Sequence, residues 1–286
     1  MIQFEFIEDT FLKKNTSIYE LSILLGMDSF VYMITDGQQK VQVLAQFPYL
    51  SKQPYSSHDY PLESLENYLE KNTLLKSRFR NIKLGIHSPG FTLIPDRLFS
   101  EKDKKAILSH LSNADDPYEV RSDKIQPILS RNVYSVSEPL SDLIKRHFSS
   151  ARVFNLNTTL LLATLRIASL ESKGHQLFFH VDGHYLRTYL FEGKNLLVAT
   201  HNAYQSPQDF VYYVMLVFEQ FGLSPDTQKV NLCGNIHQDS ELYQQLFRYV
   251  RNIHYMKAPG FLQNGPKTNA LPGYQYFDLF SSLLLN

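Results

Sequence analysis

Tryptophan is absent from this 286-residue chain, and cysteine occurs once, at Cys233. A single thiol excludes an intramolecular disulfide and cannot found a cysteine-based metal centre. An excess of either charge is also missing: Lys and Arg total 28, and Asp and Glu total 28. No long-range field therefore steers the protein toward a phosphate backbone or an anionic membrane surface, and nucleic acid is not an expected partner. No apolar run approaches the roughly 18 residues of a membrane span. The longest, "FVYYVMLVFEQF", carries Glu219 and reads as a core helix. The opening "MIQFEFIEDTF" lacks the basic and apolar regions of a secretion signal, so the expected compartment is the cytoplasm.

What is present is enough apolar material for two cores, at 43% of the residues, and this length favours two domains. Between Leu21 and Phe47, three short apolar segments are separated by "GMDS" and "DGQQ", which are hairpin signals. "PLESLENYLEKNTLL" then places Leu62, Leu65, Tyr68, Leu69 and Leu75 largely on one helical face, with Pro61 suited to a first turn. "NIKLGIHS" alternates as a fourth strand. The order recurs about 150 residues later. "QLFFHV", "HYLRTYLF" and "NLLVATHNAY" predict three strands, Ser206, Pro207 and Asp209 start a helix, Gly222 stops it, and "KVNLCG" is the fourth strand. The turns "TDG" and "FEG" hold the same place in each half.

Both halves continue with helices and short strands: "EKDKKAILSHL", "NVYSV", "PLSDLIKRHF" and "ARVFNL" in the first, "DSELYQQLFRYV" and "NIHYM" in the second. Such an order calls for mixed sheets covered by helices. The expected division is 1–155 and 156–286, with a linking helix at about 157–173 in "NTTLLLATLRIASLESKGH", capped by Asn157 or Thr158 and ended by Gly174. The tail "LPGYQYFDLFSSLLLN" is apolar enough to dock as a helix, whereas "FLQNGPKTNA" reads as a loop.

Three hairpin strands, a helix and a parallel strand, used twice, resemble the ribonuclease-H-like unit duplicated in the actin-like ATPase superfamily. The whole chain, including "YELSILLGMDSFVYMI", "FFHVDGHYLRTYLFEG", "KVNLCGNI" and the tail, looks like a bacterial family with this actin-like ATPase fold and no assigned biochemical role. The resemblance implies an α/β fold of two half-domains and a nucleotide site in the cleft between them. It does not by itself choose between an ATPase and an assembly or scaffold protein.

In the resembled ATPases the first turn of each half is rich in glycine and carries an aspartate, so that bare N–H groups hold phosphate and the carboxylate holds the metal or its waters. Here the corresponding residues are Asp28 and Ser29 in the first half, Asp182 and Gly183 in the second, and Gly234 in the third motif. The pattern departs from the superfamily at both turns: Phe30 follows Asp28-Ser29, and His184-Tyr185 follows Asp182-Gly183, in places where small residues would admit phosphate.

A degenerate nucleotide site is therefore expected. The role it leaves is that of a non-catalytic scaffold or interaction module, a pseudo-ATPase with no cofactor and with a protein partner or self-association. The alternative is a protein that binds or hydrolyses ATP with Mg, and a small-molecule sensor is a third class. His180, His184 and His201 lie near the second hairpin without a zinc spacing. Ser88 beside His87 lacks the glycine frame of a nucleophile elbow. Cys233 reads as a buried small hydrophobe.

Overall fold

Turn chemistry and alternation shape two sheets of corresponding design. The computed structural model describes residues 4–26, 28–49, 60–88, 90–109, 118–170 and 174–285. Met27 of the first turn and the last three residues of the expected linking helix, 171–173, lie outside the described residues. The chain divides into two compact units, one of Met1–Thr159, Gly260–Ala270 and Ser282–Asn286, the other of Leu160–Pro259 and Leu271–Ser281.

In the first unit the chain runs through β1 (Phe4–Ile7), β2 (Glu20–Leu25), β3 (Ser29–Thr35), β4 (Val41–Pro48), α1 (Leu62–Lys71) and β5 (Asn81–Ile86). An added layer follows, of β6 (Phe91–Pro95), α2 (Lys104–Ser109), β7 (Tyr118–Ile125) and β8 (Ser130–Ser137). Then come α3 (Glu138–His147), β9 (Arg152–Asn155) and α4 (Leu156–Ala168), and the second unit begins inside α4 at Leu160. That unit holds β10 (His175–Asp182), β11 (Tyr185–Glu192), β12 (Asn195–Ala203), α5 (Pro207–Gln220), β13 (Val230–Gly234), α6 (Glu241–Tyr249), β14 (Ile253–Tyr255) and α7 (Phe277–Ser281).

The first sheet has the order β1-β4-β3-β2-β5-β9 and the second β12-β11-β10-β13-β14. Setting β1 aside, the two orders correspond strand for strand. In each, the first three strands are antiparallel and the last two run parallel to the first of those three. The duplication expected from the turn spacing is present, as a repeat of topology.

The first core gathers Leu21, Ile23, Leu25, Phe30, Leu84 and Ile86 from its sheet with Leu65 and Leu69 of α1 and Leu140 and Leu143 of α3. Helix α1 stops at Lys71, short of Leu75, because the Asn72 side chain accepts from the N–H groups of Leu74 and Leu75 at 3.0 and 3.1 Å and turns the chain away. Leu75 still reaches this core, from the turn. The antiparallel sheet β6-β8-β7 had only "NVYSV" as a sequence signal, and the strands either side of it in that sheet are a finding of the structure.

Contacts distant in sequence complete the first unit. The segment 260–270, expected as a loop, is pinned to the opening strand region: buried Glu8 accepts from the N–H groups of Lys267 and Thr268 at 3.0 and 2.9 Å. A Cβ on Gly265 would lie 2.3 Å from the Glu8 carboxyl carbon, so only glycine lets this loop close on it.

In the second unit, Ser206 and Asp209 form a capping box on α5: the hydroxyl accepts from Asp209 N–H at 3.1 Å and the carboxylate from Ser206 N–H at 3.0 Å. Gly222, at φ 60°, ends it. The helix buries Phe210, Val211, Val214, Val217 and Phe218 against Leu177, Phe179, Leu186 and Leu232, while Phe221 is only partly buried. The Phe218 ring is 2% exposed. Phe218→Ala should destabilise the protein by about 3–5 kcal/mol, read from denaturant unfolding, and an unchanged midpoint would show that this helix face is not core.

Candidate functional site

The two faces of β10 and β11 alternate, as strands require. Leu177, Phe179, Val181, Leu186 and Leu190 join the core under α5. Phe178, His180, Arg187, Tyr189 and Phe191 lie on the other face and are buried as well. A sheet covered on both sides buries even its polar alternates.

His180 and Arg187 are cross-strand partners, and each is 1% exposed. The guanidinium stands 3.3 Å from His180 Nδ1 and 3.6 Å from the Asp182 carboxylate. Guanidinium nitrogens only donate, so Nδ1 accepts and Nε2–H donates to Asp278 of α7 at 3.2 Å. A cation out of water is thus matched by carboxylates on two sides, one of them through the imidazole. This network escaped the sequence reading. Arg187 sits in "YLRTYLF", on the face opposite Leu186 and Leu190, and Asp278, linked to it through His180, lies far along the chain. The signal available was a charged residue among aromatics in a strand expected to be covered by helices.

Asp182 ends β10 and Gly183-His184 forms the turn, with Gly183 at φ 56°. The turn is pinned from outside: Tyr204 donates its hydroxyl to the Gly183 carbonyl and its N–H to the His184 carbonyl. His184 is exposed at the tip. Tyr185 turns back into the structure and stacks on His201, with ring centroids 4.6 Å apart. The three nearby histidines therefore have separate surroundings: one in the buried network, one at the turn, one stacked on tyrosine. Among the described residues no group of three or more His, Cys, Asp or Glu is arranged to hold a metal ion.

Gly234 lies beside this turn, paired with Val181 across the parallel strands. Its φ is +92°, and a Cβ there would lie 2.1 Å from the Val181 carbonyl oxygen. Its N–H donates to the Tyr274 carbonyl at 2.9 Å, and the next N–H, of Asn235, donates to Val181 at 2.7 Å. Strand approach alone accounts for this glycine. Cys233 is buried beside it, and burial, with Asp278 adding to it, pushes its thiol well above the ordinary range. The thiol is a packed group rather than a nucleophile.

In the first unit, Gly26 N–H donates to the Ser29 carbonyl at 3.0 Å and closes the turn on itself. The Ser29 hydroxyl is buried, 3.3 Å from the Gln46 amide nitrogen. Tyr49 N–H donates to the Asp28 carbonyl. Phe30 does not stand in the turn as expected. It is the second residue of β3, opposite Leu25, and its ring is fully buried beside Tyr32 and Tyr68. Its bulk is therefore no obstacle to a ligand at the turn. Of the candidate residues, Asp182, Gly183 and Gly234 are brought together in the second unit, and Asp28 and Ser29 lie in the first. His87 and Ser88 are buried, and the Ser88 hydroxyl donates to the Gly90 carbonyl.

A family model described as "Protein of unknown function (DUF3822)" matches residues 8–253. Among solved structures, a protein from Bacteroides thetaiotaomicron described as having an actin-like ATPase fold and unknown function is similar at TM-score 0.77 and 17% identity, covering 97% of this chain and 100% of that one. The PilM–PilN type IV pilus biogenesis complex is similar at TM-score 0.65 and 12% identity, covering 94% of this chain and 98% of that one. The ethanolamine utilization protein EutJ from Carboxydothermus hydrogenoformans follows at TM-score 0.51 and 7% identity, covering 94% and 90%. No curated protein matches. The fold is the actin-like ATPase fold, with its ribonuclease-H-like unit duplicated.

Arg187→Met keeps much of the bulk of the side chain and removes its charge, taking the counter-charge at 3.6 Å away from Asp182 and the donor at 3.3 Å away from His180. It should cost about 3–5 kcal/mol in urea unfolding. Adding Asp182→Asn to that variant should restore part of the loss, and strict additivity of the two changes would show that they do not interact. Gly234→Ala should abolish or severely reduce soluble folded protein, since neither its φ nor the approach of Val181 tolerates a Cβ.

Proposed function

The chain belongs to this family, and on that premise we propose that it is a non-catalytic module of actin-like fold, with a degenerate nucleotide site and surfaces that recognise another protein or a second copy of itself. The observation that carries the reading is the environment of Asp182. A carboxylate that would organise a metal and its waters faces a buried guanidinium at 3.6 Å instead. A divalent cation there would have to displace or adjoin that fixed positive charge, which is electrostatically costly in a buried setting.

The neighbouring backbone supports the same reading. Gly234 N–H is bonded to Tyr274, and the first turn directs Gly26 N–H to its own Ser29 carbonyl, so N–H groups suited to phosphate oxygens are already in use. Asp28, Ser29, Asp182, Gly183 and Gly234 are on this reading inherited architecture that holds no cofactor. One solved relative is described as a complex of PilM with PilN, which makes a protein partner a reasonable occupant for a surface of this fold.

The test is calorimetric titration of the full chain with ATP, with and without magnesium, alongside Asp28→Asn and Asp182→Asn variants. We expect no magnesium-dependent binding and no hydrolysis above background. Micromolar, magnesium-dependent binding that either substitution abolishes would overturn the proposal in favour of an ATP-binding protein.

A further inference from the structure

Strand β2 is six residues long, so roughly 20 Å separate the Asp28 turn from its other end. At that other end the first unit has a cavity of about 700 Å³, walled by Glu20, by residues 75–83 leading into β5, and by residues 147–152 between α3 and β9. Its lining is strongly one-sided in charge. Lys76, Arg78, Arg80, Lys83 and Arg152 contribute to it with His147, and Glu20 is the one carboxylate side chain among the described lining residues. Glu20 is already engaged, 3.9 Å from Lys83 and accepting from the Asn81 amide at 2.9 Å.

The positions of the two flanking arginines follow from local packing. Phe79 is buried in the first core, and Arg80 N–H donates to the Tyr19 carbonyl at 2.9 Å. With the residue between them anchored inward, Arg78 and Arg80 stand exposed on either side of it, both lining the cavity. Ser77 adds a hydroxyl to this wall, and Ser149 and Ser150 add theirs to the facing one. Lys83 is held below the ordinary lysine range, chiefly by burial, with Glu20 opposing and the charge of Arg152 adding to the effect.

We propose that this cavity binds a small molecule carrying at least two phosphate groups. Guanidinium groups match the geometry of phosphate oxygens and bond to them with two donors at once. Hydroxyls complete the oxygen shell, and the volume suits a compact organic or inorganic diphosphate. Magnesium is not required, because the protein itself supplies the positive charge. The site is independent of the Asp182 turn, so it stands or falls separately from the proposed function.

The experiment titrates inorganic pyrophosphate and ADP, without magnesium, into the full chain, the Asp182→Asn variant and an Arg78→Gln/Arg80→Gln variant. Both arginines are exposed, so the double variant should melt as the parent does. Binding is expected at about 100 μM or tighter, undisturbed by Asp182→Asn and weakened about tenfold or more in the arginine variant. It should also weaken as sodium chloride rises from about 50 to about 300 mM. Equal binding of both probes would assign recognition to phosphate alone, and tighter binding of ADP would add contacts to its organic part. Failure of both probes to bind, or binding unchanged in the arginine variant, would overturn the proposal.

Discussion

A guanidinium removed from water has to keep its counter-charges within reach, and the second unit is organised around that obligation at Arg187. The strand order places it opposite His180, the end of β10 supplies Asp182, and α7 supplies Asp278. Helix α7 is therefore placed by a polar requirement as well as by its apolar residues Phe277, Leu279 and Phe280, which are buried. Apolar packing tolerates sliding of one layer over another, whereas a buried ion and its partners have few alternative arrangements. Removing one member of such a network is costly because it strands the others, whereas an apolar substitute for all its members would also fill the space.

The first unit meets the same problem with neutral donors. Asp123 of β7 accepts from Asn155 N–H at 2.8 Å, from the Thr158 hydroxyl at 2.8 Å and from the Tyr134 hydroxyl at 3.1 Å. Burial nonetheless pushes its carboxyl up, against the pull of those bonds. The result ties the added three-stranded layer to the start of α4. Glu8 is treated alike by the loop at 265–268. Three carboxyl groups, Glu8 buried and Asp123 and Asp182 half-buried, thus join segments that apolar contacts alone would leave free to shift: one through a cation, two through N–H and hydroxyl groups.

Much of the duplicated frame was legible because its determinants are local. The glycine turns, the Ser206-Pro207-Asp209 helix start and the Gly222 stop each act within a few residues, and alternation assigned the strands between them. What was missed depends on distance. Alternation distinguishes two faces of β11 without saying that both are covered, so it gives no sign that Arg187 is buried. The Phe30 ring was placed in the turn because a one-residue difference in where β3 begins moves a side chain from loop to core. Of the strands flanking "NVYSV" in the added sheet, β6 is only five residues long and β7 is rich in charged residues, and the burial pattern of both is that of a surface layer. At the site, the partners of the candidate residues, Tyr274 for Gly234 and Arg187 for Asp182, could be found only from the fold.

The route of the last residues bears on how the chain is made. Gly260–Ala270 belongs to the first unit, Leu271–Ser281 to the second and Ser282–Asn286 to the first again. A ribosome releasing this protein emits the opening strands first, yet Glu8 receives its donors from Lys267 and Thr268, 259 and 260 residues later. The first unit therefore waits as an incomplete body until those residues emerge, with the Glu8 carboxylate still without its loop. Pairings so remote in sequence are slow to form. Quality control in the cell is thus given a long interval in which to intercept the nascent chain, and a stop codon before residue 260 would take segments from both units at once.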